Sequence, residues 1–402
     1  MSAAKSSATA RAARTTAAAG ESAAPPAPVQ AVRAAPRLRF TFIDEFRGLV
    51  GVMMALGHAQ YYTNAAWLSL DPIDPFFATT PQFLLRYMGY LCAPGFLMMN
   101  GAMVYWAFLR RRKNGLSRGR SVWDFVQRGL FLVAVQWLWV NASWSGFARL
   151  NLGHLGIIAT IGLSMLLVGL IVHWPWWQRA AVVLGGFLLH PLLLMIPYDH
   201  ASWVAVPMQL LIDSGDFTKY PLIPWFSLAC LGSVMAHFWF TVWTDKRRPD
   251  ERAYKSLAIG ACLLLVAWGL RDWGHPYANI FPHDGWFTYS FFLVQKYPPS
   301  LCHQVWFAGL VIGGVGLFAW IDQRWPLLRP LAVVGKVPLF FYCVHIPLLA
   351  IIFRRLNWLP YREHGVTESL LVWAGLLLVM WPLALWFARV KQRNRSWFIR
   401  MI

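Results

Sequence analysis

The sequence predicts an all-α, polytopic integral membrane protein of about ten transmembrane helices, and three observations carry that prediction. Hydrophobic residues make up 58% of the 402 residues and charged residues only 13%, more apolar surface than a soluble core could hide. Apolar runs close to the roughly 20 residues that cross a bilayer recur from Leu38 onward. Lys and Arg, finally, are dense in alternate connecting loops. The net charge of +19 therefore reads as positive-inside topology, with the lipid bilayer and not nucleic acid as the expected partner.

Taken in order, residues 1–36 are Ala, Ser, Pro and Arg without the apolar run of a signal peptide, and read as a disordered cytoplasmic tail. Spans are expected near 42–62, 83–108, 125–145, 155–173, 179–197, 221–244, 256–272, 300–320, 334–353 and 368–388. They form one membrane domain over 37–390, followed by a basic cytoplasmic tail at 391–402. Both termini then lie in the cytoplasm. The inward clusters are Arg110, Arg111, Arg112, Lys113, Arg118 and Arg120; Lys246, Arg247, Arg248, Arg252 and Lys255; and Arg389, Lys391, Arg393, Arg395 and Arg400. The segment Arg354 to Thr367, with three arginines on the outward side, runs against the alternation. The long outward segments Thr63 to Pro81, Tyr198 to Tyr220 and Asp272 to Pro299 are rich in Trp, Tyr, Pro and Asp and could roof an outward cavity. Cys92, Cys230, Cys262, Cys302 and Cys343 fall inside predicted spans without CxxC spacing, so neither a disulfide framework nor a metal site is expected.

The first span carries the ionisable residues that lipid would not tolerate. Arg47 and His58 are eleven apart, which leaves them about 20° apart around a helix and about 16 Å apart along it. Asp44 lies one turn before Arg47 and can pair with it. Two readings stand side by side: interface anchors with a packing histidine, or a functional stripe of carboxylate, guanidinium and imidazole. The cost of keeping three polar groups on one stripe favours the second.

Other positions are weighed in the same way. His345 and His190, each mid-span, could be interhelical hydrogen bonders or site residues. Lys296 and Tyr297, ahead of Pro298 and Pro299, could frame an outward cavity and present the lysine to a carboxylate or phosphate, or simply begin a span with a snorkelling lysine. Arg86 and Arg128 are anchors or cavity-lining charges. The basic run Arg110, Arg111, Arg112 and Lys113 is topology or, with Arg47, a grip on phosphates.

The segment from Arg39 to His58 resembles the opening of the transmembrane acyltransferase superfamily, whose members share Arg, ten residues, then His. Four more segments resemble the heparan-α-glucosaminide N-acetyltransferase catalytic-domain-like family of bacterial membrane proteins: Ala93 to Gly101, Tyr220 to Trp225, Lys296 to Leu301 and Gly335 to His345. The resemblance implies an enzyme of the bacterial inner membrane. It would take an acyl group, acetyl by preference, from cytoplasmic acyl-CoA to a sugar amine or hydroxyl of a carbohydrate or glycolipid on the other side. Lysosomal relatives place an essential histidine in the loop after the first span, with Asn at the position matching His58. Here residues 59–81 contain no histidine, which leaves His58 as the expected general base or, alternatively, the transient acyl carrier, with Arg47 on a CoA phosphate or the thioester oxygen and Asp44 holding Arg47. The rival readings are a transporter lined by the same Arg and His, and a noncatalytic scaffold.

Overall fold

Within a bilayer each backbone N–H and C=O must be paired inside the protein, and helix is the form that does so within a single segment. The computed structural model describes residues 40–69, 79–245, 247–394 and 396–402. The tail expected over residues 1–36, with Arg39, Lys246 and Arg395, lies outside them. Apart from two isolated bridges, regular structure among the described residues is helical.

Ten long helices organise the described chain. They are α1 (Thr41–Thr63), α2 (Thr80–Lys113, tightened at Gly89–Leu91), α3 (Arg118–Val135, continued by a π turn Gln136–Val140 and Asn141–Ser143), α4 (Ile157–Ile171), α5 (Trp176–Leu193), α6 (Leu222–Val242), α7 (Glu251–Asp272), α8 (Leu301–Arg324), α9 (Pro338–Arg355) and α10 (Val366–Arg393). Each predicted span falls on one of them. Six, namely α2 and α6 to α10, are long and apolar enough to cross a membrane. The other four fall short on length or apolarity; α4 is a 15-residue helix.

Local chemistry sets several boundaries. Ser300 caps α8 by accepting from the His303 N–H at 3.1 Å, just after Pro298 and Pro299, which bar a helix from running upstream. Ser117 caps α3 in the same manner. Pro347 inside α9 lacks the N–H that would bond the Cys343 carbonyl, and Trp139 Nε1 donates to that carbonyl at 2.8 Å instead.

Packing is closest where glycine removes the side chain. A Cβ on Gly101 would sit 1.7 Å from the Ala229 carbonyl oxygen, and one on Gly232 1.9 Å from that of Met98, so α2 and α6 meet backbone to backbone. A Cβ on Gly335 would meet the Asp44 carbonyl at 1.7 Å, which seats the turn Ala332–Gly335 against α1. As a result α1 is surrounded by α2, α8, α9 and α10, and most of its residues are buried.

Two of the three arginines that disturb the charge alternation have structural partners. Arg354 donates to the Trp144 carbonyl at 3.1 Å and to the Tyr361 hydroxyl at 2.6 Å. Arg362 donates to the Tyr61 carbonyl at 2.9 Å and lies over the Tyr61 ring. They tie the α9–α10 connection to the end of α1, where Arg362 N and His364 N also bond the Tyr62 and Thr63 carbonyls.

Candidate functional site

The polar stripe of α1 faces a cavity of about 450 Å³ bounded by α1, α2, α3, α4, α9 and the segment around Lys296. Arg47 and His58 both line it. Asp44, buried, pairs with Arg47 across 3.5 Å. The eleven-residue spacing thus places both side chains on one wall, about 16 Å apart along the helix.

The end marked by Arg47 is cationic. Arg128 from α3, Lys336 and Lys391 line the same cavity. The placement of Lys391 follows from the direction of α10. The Ser369 hydroxyl meets that of Thr63 at 2.6 Å, so α10 runs antiparallel to α1 and its last turn returns to the Arg47 end. Beyond that turn, the short helix Trp397–Met401 brings Met401 and Ile402 onto the cavity wall. With Arg86 and Lys296 the lining holds six basic side chains and, among the described residues, no Asp or Glu.

The other end is an aromatic chamber around an imidazole pair. His58 Nδ1 lies 2.7 Å from His345 Nε2, the two rings being nearly parallel at 11°. His345 is fully buried, and its Nδ1 meets the Phe341 carbonyl oxygen at 2.7 Å. Trp144 and Tyr342 pack edge-on against His58 with centroids 5.2 Å and 5.7 Å away. Lys296 donates to the Gly89 carbonyl at 3.3 Å and lies 4.9 Å from the Tyr90 ring centroid. Burial holds its ammonium below the usual lysine range, partly offset by Tyr220 and Cys92. The Tyr297 hydroxyl meets that of Tyr220 at 2.9 Å. Arg86 lies over the Trp67 ring and donates to the Trp67 carbonyl at 3.1 Å.

Five separate sequence segments therefore converge here. Arg47 and His58, the stretch Ala93 to Gly101 through Ala93, Phe96, Met99 and Asn100, Tyr220, Lys296 with Tyr297, and Lys336 to Tyr342 all touch the cavity. The basic run on α2 does not. Arg110, Arg111, Arg112 and Lys113 are outside the lining; Arg111 pairs with Asp124 across 3.4 Å and covers the Phe125 ring, and Arg112 donates to the Leu116 carbonyl at 2.9 Å. His190 is also elsewhere, donating from Nε2 to the Ile212 carbonyl at 2.7 Å.

Sequence reading passed over Lys336 and Tyr342, although both stand in the Gly335 to His345 stretch. It placed Lys391 in a tail; no local pattern marks that residue, because its position depends on the path of α10.

Two more buried arginines are engaged away from the cavity. Arg271 donates to the carbonyls of Phe281, Pro282, Ser290 and Phe291 at 2.6 to 3.0 Å. Arg179 donates to the Ser233 carbonyl at 2.7 Å and its hydroxyl at 2.9 Å.

Comparison with known proteins adds one finding. Residues 39–266, more than half of the chain, match the family model described as heparan-alpha-glucosaminide N-acetyltransferase, catalytic. No curated protein matches the chain.

Proposed function

We propose a function from one premise: the chain belongs to the heparan-alpha-glucosaminide N-acetyltransferase catalytic family. That makes it a membrane acetyltransferase. The finer reading is that acyl-CoA, acetyl-CoA by preference, donates from the cytoplasmic side to an amine or hydroxyl of a carbohydrate or glycolipid on the outer side. All ten helices cross the inner membrane of a bacterium in this reading, with both termini inside.

One observation carries it: a single cavity joins a cluster of cations to an imidazole about 16 Å away along α1. Coenzyme A is long and thin, anionic at one end and reactive at the other. Arg47, Arg128, Lys336 and Lys391 would hold its phosphates, since guanidinium and ammonium groups supply charge-assisted hydrogen bonds to phosphate oxygens. Asp44 would keep Arg47 turned into the cavity. The acyl carbon would then lie near His58, with Lys296, Tyr297, Tyr220 and Arg86 around the acceptor.

His58 acts as general base in this scheme. It takes the proton from the acceptor amine or hydroxyl as the new bond to the acyl carbon forms, and returns it to the departing thiolate as the carbon–sulfur bond breaks. An imidazole is suited to both transfers near neutral pH. Tyr342 on the cavity wall, with Trp144 packed behind His58, limits water beside the thioester, which favours transfer over hydrolysis.

Purified protein given radiolabelled acetyl-CoA and a panel of amino sugars and glycans tests the reading. Labelled glycan is expected from wild type and not from His58→Ala. A protein that moves solute without consuming acetyl-CoA would instead be the transporter that the same intramembrane cations could serve.

A further inference from the structure

We infer that His345 is a positioning residue: it selects the tautomer of His58 that leaves the Nε2 lone pair facing the cavity. The inference rests on the acyl-transfer reading for its kinetic consequence, but its structural content stands on hydrogen-bond direction alone.

The chain of donors has one neutral solution. A backbone carbonyl can only accept, so at 2.7 Å from the Phe341 oxygen the His345 Nδ1 must carry the hydrogen. In a neutral imidazole the other nitrogen is then an acceptor. His345 Nε2 therefore accepts from His58 Nδ1 across 2.7 Å. With its hydrogen on Nδ1, His58 carries its lone pair on Nε2, which has no protein partner among the described residues while His58 lines the cavity. Without His345 the commoner choice open to His58 would include the tautomer with the hydrogen on Nε2, which cannot take a proton from the acceptor.

The same geometry eases the charge that catalysis creates. When His58 Nε2 accepts the acceptor's proton, the hydrogen on Nδ1 can shift toward His345 Nε2. The positive charge is then shared by two imidazoles, and the Phe341 carbonyl faces the second. The hydrogen shifts back as His58 Nε2 gives its proton to the thiolate, so both rings end neutral and no proton is lost. The dyad lies between α1 and α9, which share the buried neighbours Met54, Ala55, Phe341 and Ile346. That packing holds the two rings in register.

Two substitutions separate this role from simple packing. In His345→Gln the amide oxygen occupies the place of Nε2 and accepts from His58, while the bond to Phe341 is given up. In His345→Asn the shorter amide keeps the bond to Phe341 and cannot reach His58. We expect His345→Gln to retain turnover within about tenfold of wild type, and His345→Asn to lose about 100-fold or more in kcat with the KM for acetyl-CoA within about twofold, as for loss of a general base. Asn equal to or better than Gln would overturn the inference. An activity-independent readout accompanies the kinetics: ¹⁵N spectra of histidine-labelled protein in detergent at neutral pH. Wild type and His345→Gln should show His58 protonated on Nδ1, and the Asn variant should lose that signature. Wild-type His58 protonated on Nε2 would refute the inference whether or not acetyl transfer is seen. Correct tautomers with no transfer in any variant would refute the acyl-transfer reading instead.

Discussion

Arg271 and Arg47 are both arginines on helices of a membrane protein, yet their surroundings differ in kind. Arg271 is 1% exposed and spends its donors on four backbone carbonyls, which anchors the loop between α7 and α8. Arg179 donates to the Ser233 carbonyl and hydroxyl, also away from the cavity. Arg47 pairs with Asp44 across 3.5 Å and faces a cavity that five further basic side chains and an imidazole also line. The contrast shows that a charge within a span is not by itself a sign of chemistry. Whether it meets a cavity decides between the two roles.

Four measurements sharpen or break that division, ordered by expected effect. His58→Ala should lower kcat by about 10² to 10⁴ while its thermal unfolding in detergent stays close to wild type; equal turnover would remove the cavity from the chemistry. Arg271→Met should do the reverse, destabilising the protein by at least about 3 kcal/mol because several buried carbonyls lose their donor, read as a large fall in the unfolding midpoint. Turnover per folded molecule should stay near wild type. Arg47→Gln should raise the KM for acetyl-CoA about tenfold, the cost of roughly one charge-assisted hydrogen bond, with little change in unfolding. If Arg47→Gln unfolds the protein while Arg271→Met does not, the division is wrong. Arg324→Gln supplies the baseline: that arginine meets Asp250 at 3.0 Å in solvent, and neither turnover nor unfolding should change measurably.

How much of the site was legible depended on range. The Asp44, Arg47 and His58 stripe could be read from helical periodicity, because residues eleven apart return to nearly one face. Lys296 and Tyr297 stood out by their prolines, which halt a helix and leave side chains at its mouth. The pairing of His58 with His345 spans 287 positions in sequence and follows no local rule. The basic run on α2 attracted a phosphate-binding expectation by charge alone, but local partners hold Arg111 and Arg112, and the run lies outside the cavity lining.

By itself the sequence determined the helical class, the places of the long helices and the face on which Arg47 and His58 lie, because each follows from hydropathy, charge and a 3.6-residue repeat. Only the tertiary structure decided which polar groups meet a cavity. Glycine contacts such as Gly335 on Asp44 and Gly101 on Ala229 set how closely the helices approach. That approach brings His345 onto His58 and returns Lys391 to Arg47. Such meetings depend on the packing of helices distant in sequence, a quantity that no local pattern encodes.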